Sequence, residues 1–256
     1  PAIVLPQERL GPRTQLTGLE SIPARRVFWA LDPHLNAFWQ APYARLFDLV
    51  LSTQARSIPH LGLNTADGPP GLHLPWFAQD RPSLPHAERQ RLSGFVGRVG
   101  PERPVRQWLV ELMRELLPGE FEHAENIPFD QMLDFTARTC VTPNESIAGE
   151  VNFRLFEASG LGCLVLAQDL GQEQAALFEP GREMLVCADA LELAETLRLL
   201  RSRPRLAEML GRAARESVNI GVRQPLSEAQ FAVRDAAEAA VVERLSGLIE
   251  SELNVK

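Results

Sequence analysis

Short apolar runs alternate with helical stretches from residue 25 to residue 218, and this alternation restricts the chain to the α/β class. Arg25–Leu31 reads as a buried strand ended by Asp32-Pro33. Asn36–Phe47 reads as a helix with an aromatic face of Phe38, Trp39, Tyr43 and Phe47. Asp48–Thr53 and Leu72–Phe77 read as further strands, and the order strand, helix, strand predicts parallel pairing. Gly94–Val99, Thr139–Thr142, Cys163–Ala167 and Met184–Cys187 supply later strands. Helices are expected over Val105–Leu117, Phe129–Ala137 and Phe153–Ser159. Asp189 and Glu192 form a capping box for a helix over 190–202, and Pro204 opens the next one. Ser227 and Gln230 form another, opening an Ala-rich helix that runs to about Leu253.

The 256 residues allow one large α/β domain or two smaller ones. The stretch Ala78–Leu92 is polar, holds two prolines, and is the expected linker. The expected organisation is an N-terminal lobe over 1–88, a second domain over 89–225, and a C-terminal helix over 226–256 packing back across both. No apolar run approaches the length of a membrane span, and no signal peptide is visible.

Charge narrows the chemistry. The net charge of −7 repels phosphate backbones, so nucleic-acid binding is not expected. The single lysine is Lys256, which excludes an internal Walker lysine, a pyridoxal-phosphate Schiff base and a lysine general base. Any phosphate must be held by arginine, backbone N–H groups or a helix N-terminus. Cys140, Cys163 and Cys187 form no C-x-x-C pair and read as buried thiols of a reducing compartment, here the cytoplasm. The five histidines show no i, i+4 pair, so no metal site is expected.

The densest chemical signal runs from Thr142 to Cys187. Asn152-Phe153-Arg154-Leu155-Phe156-Glu157-Ala158 opens a helix just after a strand and a loop. A helix start at the carboxyl edge of a parallel sheet is where α/β proteins hold phosphates. Glu157, one turn in, has the acceptors for two ribose hydroxyls. Arg154 has the fork for a diphosphate, or else it pairs with Glu150 or Glu157 to hold the helix.

NFRLFEASGLG, then CLVLAQ, then LFEPGREM, then a capped helix pair resembles the GT-B glycosyltransferases, in particular their CgeB-like, spore-maturation-type branch. The resemblance is strong over residues 93–218 and looser upstream, in FWALDPHLNAFW and LFDLVLSTQ. It implies a GT-B-like α/β fold of two Rossmann-like lobes facing a cleft. The N-terminal lobe is expected to be reduced or truncated, because no glycine-rich strand–loop–helix precedes residue 25. It implies a glycosyltransferase of hexosyltransferase type, carrying a sugar from a nucleotide-diphosphate donor to an unknown acceptor (a glycan, a protein or a small molecule), without a metal or other cofactor. The alternative is a GT-B-like nucleotide-binding or structural protein without transferase activity.

On the family pattern Glu157 matches the ribose-binding glutamate. Gly97 and Arg98 sit in the loop that faces the diphosphate, and Asn152 and Arg154 complete the expected donor site. Arg98 reads equally as a solvated surface arginine. Where many retaining members carry a second glutamate this chain has Gly149, with Glu150 one residue off. Asp32 and His34, at the end of a buried strand, are the candidate catalytic bases. Their other readings are a helix N-cap and a polar contact.

Overall fold

The computed structural model describes residues 2–7, 16–78 and 82–220. The strands fall in two separate parallel sheets, one in each of two compact units that divide between Trp76 and Phe77.

The first unit contains β1 (Ala2–Gln7), β2 (Arg25–Ala30), α1 (Pro33–Ala44), β3 (Leu49–Ser52) and β4 (Gly71–His73). They align in the order β1-β2-β3-β4, all parallel, with Val27 opposite Leu49 and Ser52 opposite His73. The sequence reading missed β1, whose apolar run is short and is followed by Pro6; a sheet edge tolerates that proline.

Helix α1 starts three residues earlier than expected, with Pro33 in its first turn and Asp32 at the N-cap. It also ends earlier, two residues after the internal Pro42. The expected aromatic face is correct for three of its four members. Trp39, Tyr43 and Phe47 recur every four positions and pack on the fully buried Phe28, with ring centroids 5.1–6.3 Å away. Phe38 lies one position, about 100°, off that stripe and is 71% exposed.

The second unit contains β5 (Arg91–Val96), α2 (Pro104–Leu116), β6 (Phe121–Ala124), α3 (Phe129–Ala137), β7 (Thr139–Asn144), α4 (Phe153–Gly160), β8 (Leu164–Ala167), α5 (Gln172–Leu177), β9 (Leu185–Val186), α6 (Ala190–Ser202) and α7 (Pro204–Ile220). The order β6-β5-β7-β8-β9 is parallel throughout. From β5 the chain moves first to one side and then to the other. The topological switch point therefore lies between β5 and β7, where open α/β sheets bind ligands at their carboxyl ends.

Strand β5 lies three residues earlier than the sequence suggested. Arg91 pairs with Thr139 within the sheet and lays its guanidinium 4.1 Å from the Phe135 ring, so a charged residue serves inside the strand. Gly97 and Arg98 consequently stand in the loop after β5. Strand β6 was missed because Glu122 and His123 interrupt its apolar pattern.

Leu109, Met113, Val141, Leu164, Leu197 and Leu200 form the main core, between the sheet, α2, α6 and α7. The capping box of α6 forms as read: Asp189 Oδ1 accepts from Glu192 N at 2.9 Å, and Glu192 Oε2 accepts from Ala188 N at 2.7 Å. The Ala-rich helix expected over 227–253 lies outside the described residues.

Helix α7 meets the turn after α4 backbone to backbone. A Cβ on Gly211 would stand 2.3 Å from the Gly162 carbonyl oxygen. Gly211→Ala is therefore expected to destabilise the protein by about 1–3 kcal/mol, the cost of overpacking. A urea midpoint equal to that of the parent would contradict this contact.

Candidate functional site

The carboxyl ends of β5 and β7 lead into two loops, Gly97–Arg103 and Glu145–Asn152, and the second delivers the chain into α4. Asn152 is the N-cap of α4: its Oδ1 accepts from Arg154 N at 3.2 Å. Its amide nitrogen donates to Glu145 O at 3.5 Å. Its side chain is thus engaged in building the helix start.

Arg154 follows in the first turn and points back under the switch point. Nη2 donates to Val96 O at 2.8 Å and Nη1 to Asn144 Oδ1 at 3.4 Å, so the guanidinium ties the ends of β5 and β7 together. It also lies 4.4 Å from the centroid of the fully buried Phe95 ring. Burial, followed by the nearby Arg106, lowers its pKa to about 10, so the cation persists at neutral pH. Arg154 is therefore the charged floor of the site.

Two further arginines, which the sequence reading did not single out, join it. Arg106, in the first turn of α2, pairs through Nε with Glu145 Oε2 at 2.7 Å, with both side chains under 10% exposed. Arg103, at the N-cap of α2, has its pKa lowered by burial and then by Arg106 and Arg98. Arg98 is exposed on the same loop. Arg98, Arg103, Arg106 and Arg154 thus gather around one strand edge. The spacing R-x4-R-x2-R, running from a strand's end into a helix, was the available sequence signal.

Gly97 allows this crowding. A Cβ there would lie 3.0 Å from Arg154 Nη2 and 3.1 Å from the Phe95 ring. Behind the loop, the His123 ring stacks on Phe95 with centroids 6.0 Å apart, and its Nε2 donates to Gly97 O at 2.8 Å.

Glu157 lies one turn beyond Arg154 and is half-buried. Burial raises its carboxyl to about 7 against the pull of the Arg154 charge. Glu150 is committed to its own loop, where its carboxylate accepts from Ala148 N at 2.9 Å and from the Ser146 hydroxyl. It closes the turn at Gly149, whose φ of 71° suits glycine.

Asp32 and His34 belong to the first unit, where they follow β2 at the start of α1. Asp32 occupies the N-cap with φ 47°, but its side chain makes no capping bond; its backbone carbonyl accepts from Asn36 Nδ2 at 3.0 Å. The arginines and Glu157 are brought together in the second unit.

The glycosyl transferase-like family model matches residues 89–221, just over half of the chain, and the chain belongs to that family. Among curated proteins none matches the sequence. Solved structures share the GT-B fold. TarM aligns with a TM-score of 0.59 at 12% identity, over 88% of this chain and 50% of its own. The pneumococcal O-GlcNAc transferase GtfA, in complex with UDP and GlcNAc, gives a TM-score of 0.58 at 12% identity, over 91% of this chain and 53% of its own. An alpha-glucosyltransferase in complex with UDP-glucose and DNA gives 0.64 at 9% identity, over 97% of this chain and 80% of its own. The chain thus spans about half the length of TarM and GtfA.

Proposed function

We propose that the protein is a hexosyltransferase of the CgeB-like branch that takes its sugar from a nucleotide-diphosphate donor. The observation that carries this reading is the cluster of Arg98, Arg103, Arg106 and Arg154 at the β5–β7 switch point, with Glu157 one helical turn away. Of these cations Arg106 is paired with the buried Glu145, and burial together with mutual repulsion depresses the pKa of Arg103 and Arg154. A diphosphate relieves that repulsion, and a carboxylate one turn along receives the ribose hydroxyls. Because arginines meet the phosphate charge, we assign no metal to the reaction. Among the described residues no helix is long and apolar enough to cross a membrane. The unpaired thiols Cys140, Cys163 and Cys187 support a reducing, cytoplasmic setting.

Asp32 and His34 are our candidates for deprotonating the acceptor hydroxyl, on the strength of their place at the carboxyl end of β2. Asp32→Asn and His34→Gln are each expected to lower the transfer rate by about 10²–10⁴-fold while nucleoside-diphosphate affinity stays constant. Full transfer activity in both variants removes them from the chemistry.

The founding test is a thermal-shift series with UDP, GDP and ADP, followed by hydrolysis of the matching nucleotide-sugars. A diphosphate at 100 times its Kd adds about 2.7 kcal/mol of stability. A shift with slow sugar release supports the transferase. Binding without release on any donor favours the nucleotide-binding alternative, and no shift with any of the three rejects the site.

A further inference from the structure

Positive charge is concentrated at the end of the second unit opposite the candidate site. Thr196–Ala207 holds four arginines and no carboxylate, in a chain whose net charge is −7. Arg198 and Arg201 lie in the last turns of α6, Arg203 joins α6 to α7, and Arg205 lies in the first turn of α7. We propose that this arginine corner docks the protein on an anionic phospholipid bilayer, with Leu199 and Met209 entering the headgroup layer. The proposal is independent of the donor reading above.

Two contacts place the corner. Helix α6 begins beside the carboxyl ends of the strands, where Asp189 and Ala190 share a cavity wall with Asn144 and Gln168. It ends at their amino ends, where Arg201 Nη2 pairs with Glu120 Oε1 at 2.7 Å, and Glu120 immediately precedes β6. A surface met by the corner therefore leaves the arginine cluster at the carboxyl ends open. Residues 201–205 are all exposed, as is Arg198. Arg198, Arg203 and Arg205 pair with no carboxylate among the described residues. Fold stability accounts for only half of this charge. Cations in the last turns of α6 complement its dipole, but Arg203 and Arg205 stand at the positive end of α7, whose first turn holds no acid.

Charge alone suits any polyanion; the apolar neighbours and the shape select the bilayer. Leu199, 40% exposed, follows Arg198, and Met209, 51% exposed, sits between Arg205 and Arg212 on one stripe of α7 at i, i+4 and i+7. Guanidinium groups interleaved with exposed apolar chains match a layer of phosphates over acyl chains. The corner also projects, which fits a flat surface, whereas peptides are held in grooves or along strand edges. Glu195 and Glu208 flank it and Glu120 takes Arg201, so five arginines, with Arg212, face three carboxylates and the balance stays positive. At about 0.1 M salt charges interact over about 10 Å. Acidic residues farther away are screened from the surface that the corner meets.

Co-sedimentation of the whole protein with vesicles tests this, using phosphatidylcholine alone and phosphatidylcholine with about one third phosphatidylglycerol, in about 0.1 M salt. The parent is expected to sediment with the anionic vesicles only. Combining Arg203→Gln with Arg205→Gln is expected to lower the partition about 20- to 30-fold, roughly fivefold for each charge. Because both charges oppose the α7 dipole, this variant is expected to keep or raise the parent melting temperature, so unfolding does not account for the loss. Arg203→Lys with Arg205→Lys is expected to retain most of the binding, and Leu199→Ser to lower it about threefold. Absence of sedimentation with anionic vesicles overturns the proposal. Equal sedimentation of the parent and the double Gln variant also overturns it. A short DNA duplex and polyglutamate are titrated alongside by fluorescence anisotropy. Arginine-dependent binding to either one that exceeds vesicle binding, and that Leu199→Ser leaves unchanged, overturns the bilayer and gives the corner to an acidic polymer.

Discussion

Replacing Arg106 with Ala is expected to cost about 3–5 kcal/mol, the range for breaking a buried ion pair by removing one partner. The reason lies in what stays behind. Glu145 sits with its side chain 7% exposed, and its Oε2 accepts from Arg106 Nε at 2.7 Å. Without the guanidinium the carboxylate must stay charged in a dry setting or take up a proton, and both cost free energy. Arg106 also lies 5.6 Å from the Phe95 ring centroid, so its loss loosens the packing beneath the site. Removing both charges is a different experiment. Arg106→Met with Glu145→Leu keeps the volume and removes the desolvation cost, and most of the stability is expected to return. Urea unfolding of the single and double variants decides the matter. A loss below about 1 kcal/mol in Arg106→Ala would mean that the pair behaves as a solvated surface bridge.

Glu157→Ala is expected to weaken nucleoside-diphosphate binding by about 2–3 kcal/mol, the range for hydrogen bonds to a charged group, with a smaller loss in Glu157→Gln. The parent protein should also show a pH signature. Burial raises the Glu157 carboxyl from its ordinary 4.5 to about 7, so the ligand-free fold favours the protonated form. That contribution to stability is fully present below about pH 4.5 and fades as the pH rises through 7. Donor binding runs the other way, because accepting two ribose hydroxyls requires the carboxylate. Below pH 7 each bound donor displaces a proton, and affinity should rise about tenfold per pH unit toward a plateau above 7. Glu157→Gln should flatten that slope. Calorimetry in buffers of different ionisation enthalpy reads the displaced proton directly, and a parent affinity constant between pH 5.5 and 8 would remove Glu157 from the ribose.

The sequence carried the parts of the fold that obey periodicity. Helices α2, α3 and α6 appeared within a residue of their positions because their apolar stripes are regular, and α6 also carries a side-chain cap at Asp189. The strands missed or begun late share one cause, polar or conformationally awkward residues serving inside regular elements, whereas the strand expected over Leu72–Phe77 ends at His73 and the short helix α5 was not foreseen. Pro6 hid β1, Glu122 and His123 hid β6, and Arg91 hid the start of β5, where its side chain lies on Phe135 instead of in solvent. In the site, the motif residues Arg154 and Glu157 were legible, but their relation was not. Three residues apart on one helix face, they left two readings open, an Arg154 that holds a diphosphate or one that pairs with Glu150 or Glu157. Arg154 instead reaches inward to Val96 O, a partner 58 residues upstream that only the sheet order brings near. Arg103 and Arg106 escaped notice for the same reason, since an arginine's charge neighbours are set by topology.

The Phe95–His123 stack makes one imidazole an observer of the whole strand edge. Its Nε2 is fixed on the Gly97 carbonyl and its ring lies against the aromatic that supports Arg154. Any anion that draws the loop after β5 toward the arginines must tug that carbonyl and alter the ring current felt by His123. With five histidines in the chain, a two-dimensional imidazole spectrum is sparse enough to follow this one signal. Occupancy could thus be watched without a label, an assay or knowledge of the acceptor.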